Sequence, residues 1–289
     1  APLTNITNTY LLTCQSNYFV DNSTNAFTIT VSGTPEVTPF SPFVNSEAIT
    51  LAANGGSGYF DGAGDYLQAG SSPAFGFGTG DFTVEAWVYP LFTNTTPYVI
   101  ADITLNIATF YVQNNRLYFY ANSTVNDSGL SVSSNAWSHV AWVRSNGSLK
   151  MYVNGVGSSA ITLTTNLGSS EQIRIGVENS NYWYGYISNS RIVKGTAVYT
   201  SAFTPPTAPL TAITNTSLLL NFADAAIFDY AALNNLGTIG NADVSTAVVK
   251  YGTGSLAFDG TGDWLQIDDS SIFAFGTGDF TIEMWVYNT

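Results

Sequence analysis

The strongest constraint on this chain is that it states its motifs twice. FDGAGDYLQ at residues 60–68 returns as FDGTGDWLQ at 258–266, and FGTGDFTVEAWVYP at 77–90 returns as FGTGDFTIEMWVYN at 275–288. Both pairs are shifted by 198 positions, whereas APLTNITNT at 1–9 returns as APLTAITNT at 208–216, a shift of 207. The second copy is therefore nine residues shorter in its early part, a difference that loops absorb. Such a period is too long for a solenoid, whose units run about 20–50 residues, and suits whole domains strung end to end. The division expected is a first domain over residues 1–207, then a linker and the opening part of a second, incomplete copy over 208–289. A half-written sandwich cannot bury its sheets, so the sequence reads as a piece of a longer tandem protein or as a fold completed by another chain.

Within one copy the signal is all-β. Short alternating segments rich in β-branched and aromatic residues are bounded by Gly, Asn and Pro, and no long amphipathic helix interrupts them. Strands are predicted at 10–14, 27–31, 58–60, 66–69, 82–89, 98–102, 108–113, 117–121, 138–144, 149–153, 172–176 and 184–193, enough for a two-sheet antiparallel sandwich. In SHVAWVRSNGSLKMYVNG the Asn146-Gly147 pair sits between two alternating runs, the strongest short hairpin signal. TPPTAPLTAITNT, at 204–216, has three prolines and no periodicity, and reads as an extended linker. The insertion of the first copy is expected to include PEVTPFSPF at 35–43, whose prolines forbid a central strand and whose Phe40 and Phe43 must pack on an edge or a neighbour.

Composition narrows the partners. Only 9% of residues are charged, and Lys and Arg number 7 against 20 Asp and Glu, for a net charge of −13. That balance repels nucleic acid and anionic lipid, and no run of eighteen apolar residues is present to span a membrane. Cys14 is the only cysteine, so no intrachain disulfide exists, and a small buried apolar residue is its simplest role.

FDGAGDYL, GDFTVEAWVYP, WSHVAWVRSNGSLKMYVNG and YGYISNSRIVKGTAVYTSAFTPP resemble, in order and spacing, the successive motifs of laminin-G-like domains of the concanavalin-A-like lectin/glucanase superfamily. The resemblance covers the first copy and the opening of the second. It implies a concanavalin-A-like jelly roll, tandemly repeated, on a fold that hosts lectins, glycosidases, adhesion modules and structural domains alike. LLTCQSNYFVDNSTNAFTITV followed by PFSPF is also similar to repeat modules of virion structural or tail-fibre proteins of aquatic bacteriophages and of large bacterial surface proteins.

Three features are candidates for chemistry. Asp61, Asp65 and Asp81 put carboxylates near one end of the sandwich, where concanavalin-like folds often hold calcium; the competing reading is that Asp-Gly and Gly-x-Gly-Asp are turns whose Asp accepts bonds from its own loop. Tyr182, Trp183 and Tyr184, with Tyr186, form an aromatic run suited to stacking on sugar rings, although alternation points Trp183 away from the others and toward the core. Glu85 stands with Trp87 and Tyr89 on one strand face, but hydrolysis of a glycoside needs two carboxyl groups, and the E-x-D-x-x-E strand of the glucanases is missing. No catalytic set forms around His139, the only histidine, and Arg191 is expected to pair with a carboxylate across the sheet.

The expectation is a non-enzymatic, lectin-like structural and adhesive module, extracellular or on a virion surface, contacting cell-surface glycans with or without calcium. The alternatives are a purely structural fibre subunit contacting copies of itself, and a degenerate glycosidase-like domain.

Overall fold

In the computed structural model the described residues are 27–38, 56–93, 95–104 and 107–221, with single positions 25 and 42 and short stretches between 236 and 287. The strand expected at 10–14, Cys14, Phe40 and Phe43 lie outside them. The strands are β1 (Ile29–Ser32), β2 (Glu36–Thr38), β3 (Ser57–Asp61), β4 (Tyr66–Ser72), β5 (Phe82–Pro90), β6 (Tyr98–Ile103), β7 (Ala108–Gln113), β8 (Arg116–Ala121), β9 (Thr124–Ser131), β10 (Ser138–Ser145), β11 (Ser148–Val153), β12 (Val156–Gly157), β13 (Ile161–Thr162), β14 (Glu171–Ile175), β15 (Val177–Glu178), β16 (Asn181–Tyr182), β17 (Tyr184–Lys194) and β18 (Thr216–Leu220). They make two large antiparallel sheets, a jelly-roll sandwich. One sheet has the order β1-β4-β14-β6-β7-β8-β9, and the other β12-β11-β10-β5-β17-β3-β2, with β13 on β11 and β18 on β17. No helix among the described residues is long and apolar enough to cross a membrane.

Turn chemistry sets the hairpins. Asn146 and Gly147 take φ of 49° and 75°, the primed turn whose twist matches the flanking strands, and β10 and β11 pair directly from it, Ser145 opposite Ser148. Asn114 and Asn115 repeat the solution between β7 and β8 at φ of 51° and 56°. At Gly155, φ 80°, a Cβ would stand 1.8 Å from the Phe203 carbonyl oxygen, so only glycine lets residues 195–207 close over this sheet.

Alternation then fills the core. Phe82, Val84, Ala86 and Val88 of β5 point between the sheets with Val140 and Trp142 of β10 and Phe110 and Phe119 of β7 and β8. Each such side chain contributes about 1.5–3 kcal/mol by leaving water. Trp142 also ties the sheets together, its Nε1 donating to the Tyr118 carbonyl oxygen at 3.0 Å.

The stretch expected to open a second copy forms two strand pairs. Leu236–Ile239 pairs with Trp264–Ile267, and Asp243–Ser245 with Ser255–Ala257. Moved back by 207 on the earlier strand and 198 on the later, these are the β1–β4 and β2–β3 registers, from Ile29 opposite Ala69 to Thr38 opposite Ser57. On these registers the nine-residue difference falls between Thr38 and Ser57, an interval that overlaps the 35–43 stretch expected to be part of it. Glu36–Thr38 is an edge strand, a position where neighbouring proline is tolerated.

Candidate functional site

The second face of the larger sheet divides in two. Along β5 the residues that alternate away from the core are Thr83, Glu85, Trp87 and Tyr89, and each half has its own neighbours. At one end residues 195–207 fold over the sheet: Ala197, Tyr199 and Phe203 pack on Ala141, Val143 and Tyr152, Tyr199 and Phe203 stacked at 3.7 Å. Beneath this cover Glu85 is fully buried. Arg191 Nε and Nη2 donate to its Oε1 at 2.8 and 2.6 Å, and the Tyr199 hydroxyl donates to Oε2 at 2.7 Å. His139 Nε2 lies 3.1 Å from the same oxygen, and Arg191 Nη1 donates to the Thr211 carbonyl oxygen at 2.9 Å.

Burial alone raises the Glu85 carboxyl, but the His139 hydrogen bond and the Arg191 charge outweigh it and hold the group below its ordinary value of 4.5. Burial and the Glu85 charge together push the Tyr199 hydroxyl well above its ordinary value. A carboxyl depressed by folding stabilises the fold fully above pH 4.5, and the contribution fades as pH falls through the lower folded value. Melting temperatures of the protein and of Glu85→Gln are therefore expected to differ by a constant gap at neutral pH that closes on acidification below 4.5. A gap independent of pH throughout that range would contradict the assignment.

At the other end the same face carries aromatics in register across four strands. Tyr186 of β17 stands directly opposite Tyr59 of β3 and Tyr89 of β5, with ring centroids 5.1 and 6.0 Å away. Trp137, which leads into β10, follows at 5.6 Å from Tyr89. Trp87 lies one step further along β5, 5.4 Å from His139. All but His139 are half-buried. Neighbouring strands are about 4.8 Å apart, so the row Tyr59, Tyr186, Tyr89, Trp137 is about 15 Å long. Its members are far apart in sequence, and only the cross-strand register brings them together.

The residues singled out from sequence are placed differently. Trp183 is fully buried, edge-on to Phe92 at 5.2 Å, and is removed from any stacking surface, as its alternation indicated. Tyr184 packs against the core at the start of β17, and Tyr182 is half-buried in β16 opposite Val177; of the run, Tyr186 reaches the aromatic row. Asp61 and Asp65 lie against each other, and Asp81 bonds elsewhere; among the described residues no three His, Cys, Asp or Glu side chains are placed to hold a metal ion. Each serves a turn or strand junction. Asp61 accepts from Ala63 N at 2.7 Å, Asp65 from Thr34 N and Asp61 N at 2.6 and 3.0 Å, and Asp81 from Asn146 N at 2.8 Å. Arg191 pairs with Glu85 across the sheet as expected.

Residues 61–199 match the model of the concanavalin A-like lectin/glucanases superfamily, and this stretch is a domain of that superfamily. Among solved structures, domain 4 of AbnA, a GH43 extracellular arabinanase from Geobacillus stearothermophilus, solved with arabinotriose, is similar at 17% identity and a TM-score of 0.45, over 64% of this chain and 95% of that one. The binding domain of botulinum neurotoxin serotype D/C is similar at 14% identity and a TM-score of 0.45, over 66% of this chain and 49% of that one. No curated protein matches significantly.

Proposed function

We propose that this protein is a non-catalytic, glycan-binding structural module that acts outside the cell or on a virion surface, and that the row Tyr59, Tyr186, Tyr89 and Trp137 is its contact surface. The observation that carries the reading is the register of that row: half-buried aromatic side chains, spaced by strand pairing, on one face of a sheet. Flat apolar faces rimmed by hydroxyls match a pyranose, which is apolar on its ring faces and polar at its edge. The sheet fixes the rings before binding, so little ordering entropy is lost. The abundant neutral Asn, Ser and Thr suit the same ligands, while the excess of acidic groups disfavours polyanions.

The state of the acid on that face supports a non-catalytic role. Glu85 is sealed, ion-paired and bonded by Arg191, Tyr199 and His139, so it neither reaches a scissile bond nor exchanges protons with one, and a glycosidase needs two available carboxyls. The expected test is titration of the full chain with an array of neutral oligosaccharides. Binding is expected in the micromolar to millimolar range, weakened about tenfold by Tyr186→Ala, since one lost stacking contact is worth about 1 kcal/mol or more. Tyr118→Ala, in the Tyr111–Tyr118 stack of the opposite sheet, is expected to leave it unchanged. Absence of binding to any glycan, or full binding by Tyr186→Ala, would remove this reading and leave the purely structural unit.

A further inference from the structure

One side of the larger sheet is finished by two different strands. The first part of β17 pairs with β3, from Tyr184 opposite Asp61 to Ile187 opposite Gly58, and β3 in turn with β2, the last strand on that side. The second part of β17 pairs with β18, from Ser190 opposite Leu220 to Val193 opposite Thr216. β18 is held there by specific contacts. Leu218 and Leu220 enter the core, Lys194 N donates to the Asn215 carbonyl oxygen at 3.0 Å, and Leu210 N donates to Asn189 Oδ1 at 2.6 Å. β18 lies beyond the boundary expected at residue 207, so the chain passes residue 221 on the side of the sheet where β2 is the edge.

Further on, β19 (Leu236–Ile239) pairs with β22 (Trp264–Ile267), and β20 (Asp243–Ser245) with β21 (Ser255–Ala257), each as a separate two-stranded sheet. A lone pair of strands is at best marginally stable in water; it ordinarily needs a third strand or a packed face. β19 has a neighbour that can serve: it lies alongside β2. Among the described residues only β3 pairs with β2, so the other edge of β2 presents N–H and C=O groups that template a further strand. Charge permits the approach. Neither LGTI of β19 nor WLQI of β22 contains a charged residue, so Glu36 in β2 meets no like charge. Reach permits it too, since the chain from Asn221 to Leu236 extends to about 50 Å.

We propose that the β2 edge is a docking edge whose occupant is the β19–β22 pair of the same chain, so that the first sandwich templates the stretch that follows it. That stretch is then attached at two places on one side of the sheet, by β18 in the ladder of β17 and by β19 beside β2. Joined units swivel about a single connection by default, and a second attachment removes that freedom. The docking edge is distinct from the aromatic row, which lies on the face of the sheet, and stands whether or not that row binds glycans.

The test is hydrogen exchange on the full chain, read at the amides of residues 236–239 and 264–267. In the parent they are expected to exchange at least about tenfold more slowly than an open chain. Val37→Lys with Thr238→Lys puts like charges in the middle of the two adjoining strands, and Val37→Lys with Thr238→Glu puts opposite ones there. The first variant is expected to lose the protection and the second to exceed it by about fivefold or more, while β7 and β8 keep theirs in both. Unprotected amides in the parent, or equal protection in the two variants, overturns the proposal. If Val37→Lys weakens β7 and β8 as well, the reading moves to Thr238→Lys alone, which leaves the first sandwich untouched: lost protection at 264–267 that Val37→Glu restores supports docking, and loss that it does not restore, or no loss, overturns it.

Discussion

Arg191→Ala is expected to destabilise the sandwich by about 3–5 kcal/mol, the usual cost of stranding one member of a buried ion pair. In a domain of this size that lowers the melting temperature by about 10 °C. The reason is local. Glu85 has no exposure, so a carboxylate without its guanidinium must either take up a proton or draw water under the cover formed by Tyr199 and Phe203. Arg191 also holds the Thr211 carbonyl oxygen, so the approach of the chain to β18 loosens with the pair. Arg191→Met with Glu85→Gln, which removes the charge from both partners, is expected to recover a large part of the loss while His139 and Tyr199 keep an acceptor. Differential scanning calorimetry of the three variants decides it. If Arg191→Ala melts within about 2 °C of the parent, the cluster is not coupled to folding, since that shift corresponds to less than about 1 kcal/mol.

The same cluster marks the limit of what the sequence makes legible. The hairpin at Asn146-Gly147, the strand at 108–113 and the inward turn of Trp183 depend on neighbours a few residues away, and local pattern suffices for them. Thr124–Ser131 escaped the pattern because TVNDSGLS has almost no apolar alternation; it is a strand because it continues the hairpin from β8, its exposure alternating rather than its hydrophobicity. The stretch 204–216 has the composition of a linker and yet leads into β18, whose place depends on a partner, β17, that sequence periodicity does not identify. The aromatic row was invisible for a related reason. Tyr59, Tyr89, Trp137 and Tyr186 are ordinary strand residues until the order β10-β5-β17-β3 sets them side by side. The Asp residues carry the spacing of a ligand loop and of a turn alike, and the backbone N–H groups that reach them, from Ala63, Thr34, Asp61 and Asn146, are in part remote in sequence.

Replacing Arg144 by methionine is expected to cost about as much as the Arg191 change, by a different route. Arg144 lies wholly inside the protein at the end of β10, its guanidinium 5.0 Å from the centre of the Phe82 ring. Its Nε donates to the Gly80 carbonyl oxygen at 2.6 Å, Nη1 to that of Thr165 at 3.0 Å, and Nη2 to those of Phe77 and Gly78 at 3.2 and 2.9 Å. Burial presses this group below its ordinary value, against the pull of the Asp81 charge, but a guanidinium stays protonated throughout the working range of pH. Of these carbonyls, Phe77 O keeps Gly80 N at 3.0 Å and Gly78 O keeps Leu167 N at 2.8 Å, so methionine fills the volume while stripping the Arg144 donor from those of Gly80 and Thr165, at about 1–3 kcal/mol each where water cannot follow. Partial rewetting of the turn keeps the sum near 3–5 kcal/mol, the range of the largest single-residue effects. Lysine is expected to recover less than half, because a point charge cannot address carbonyls on both the 77–80 and 165 sides at once. Hydrogen exchange separates this from general weakening: the amides of Phe77, Gly78 and Leu167, which knit the two loops together, are expected to lose protection first, while β7 and β8 keep theirs until global unfolding. Uniform loss across both sheets would instead mean that Arg144 acts through the core and not through the turn.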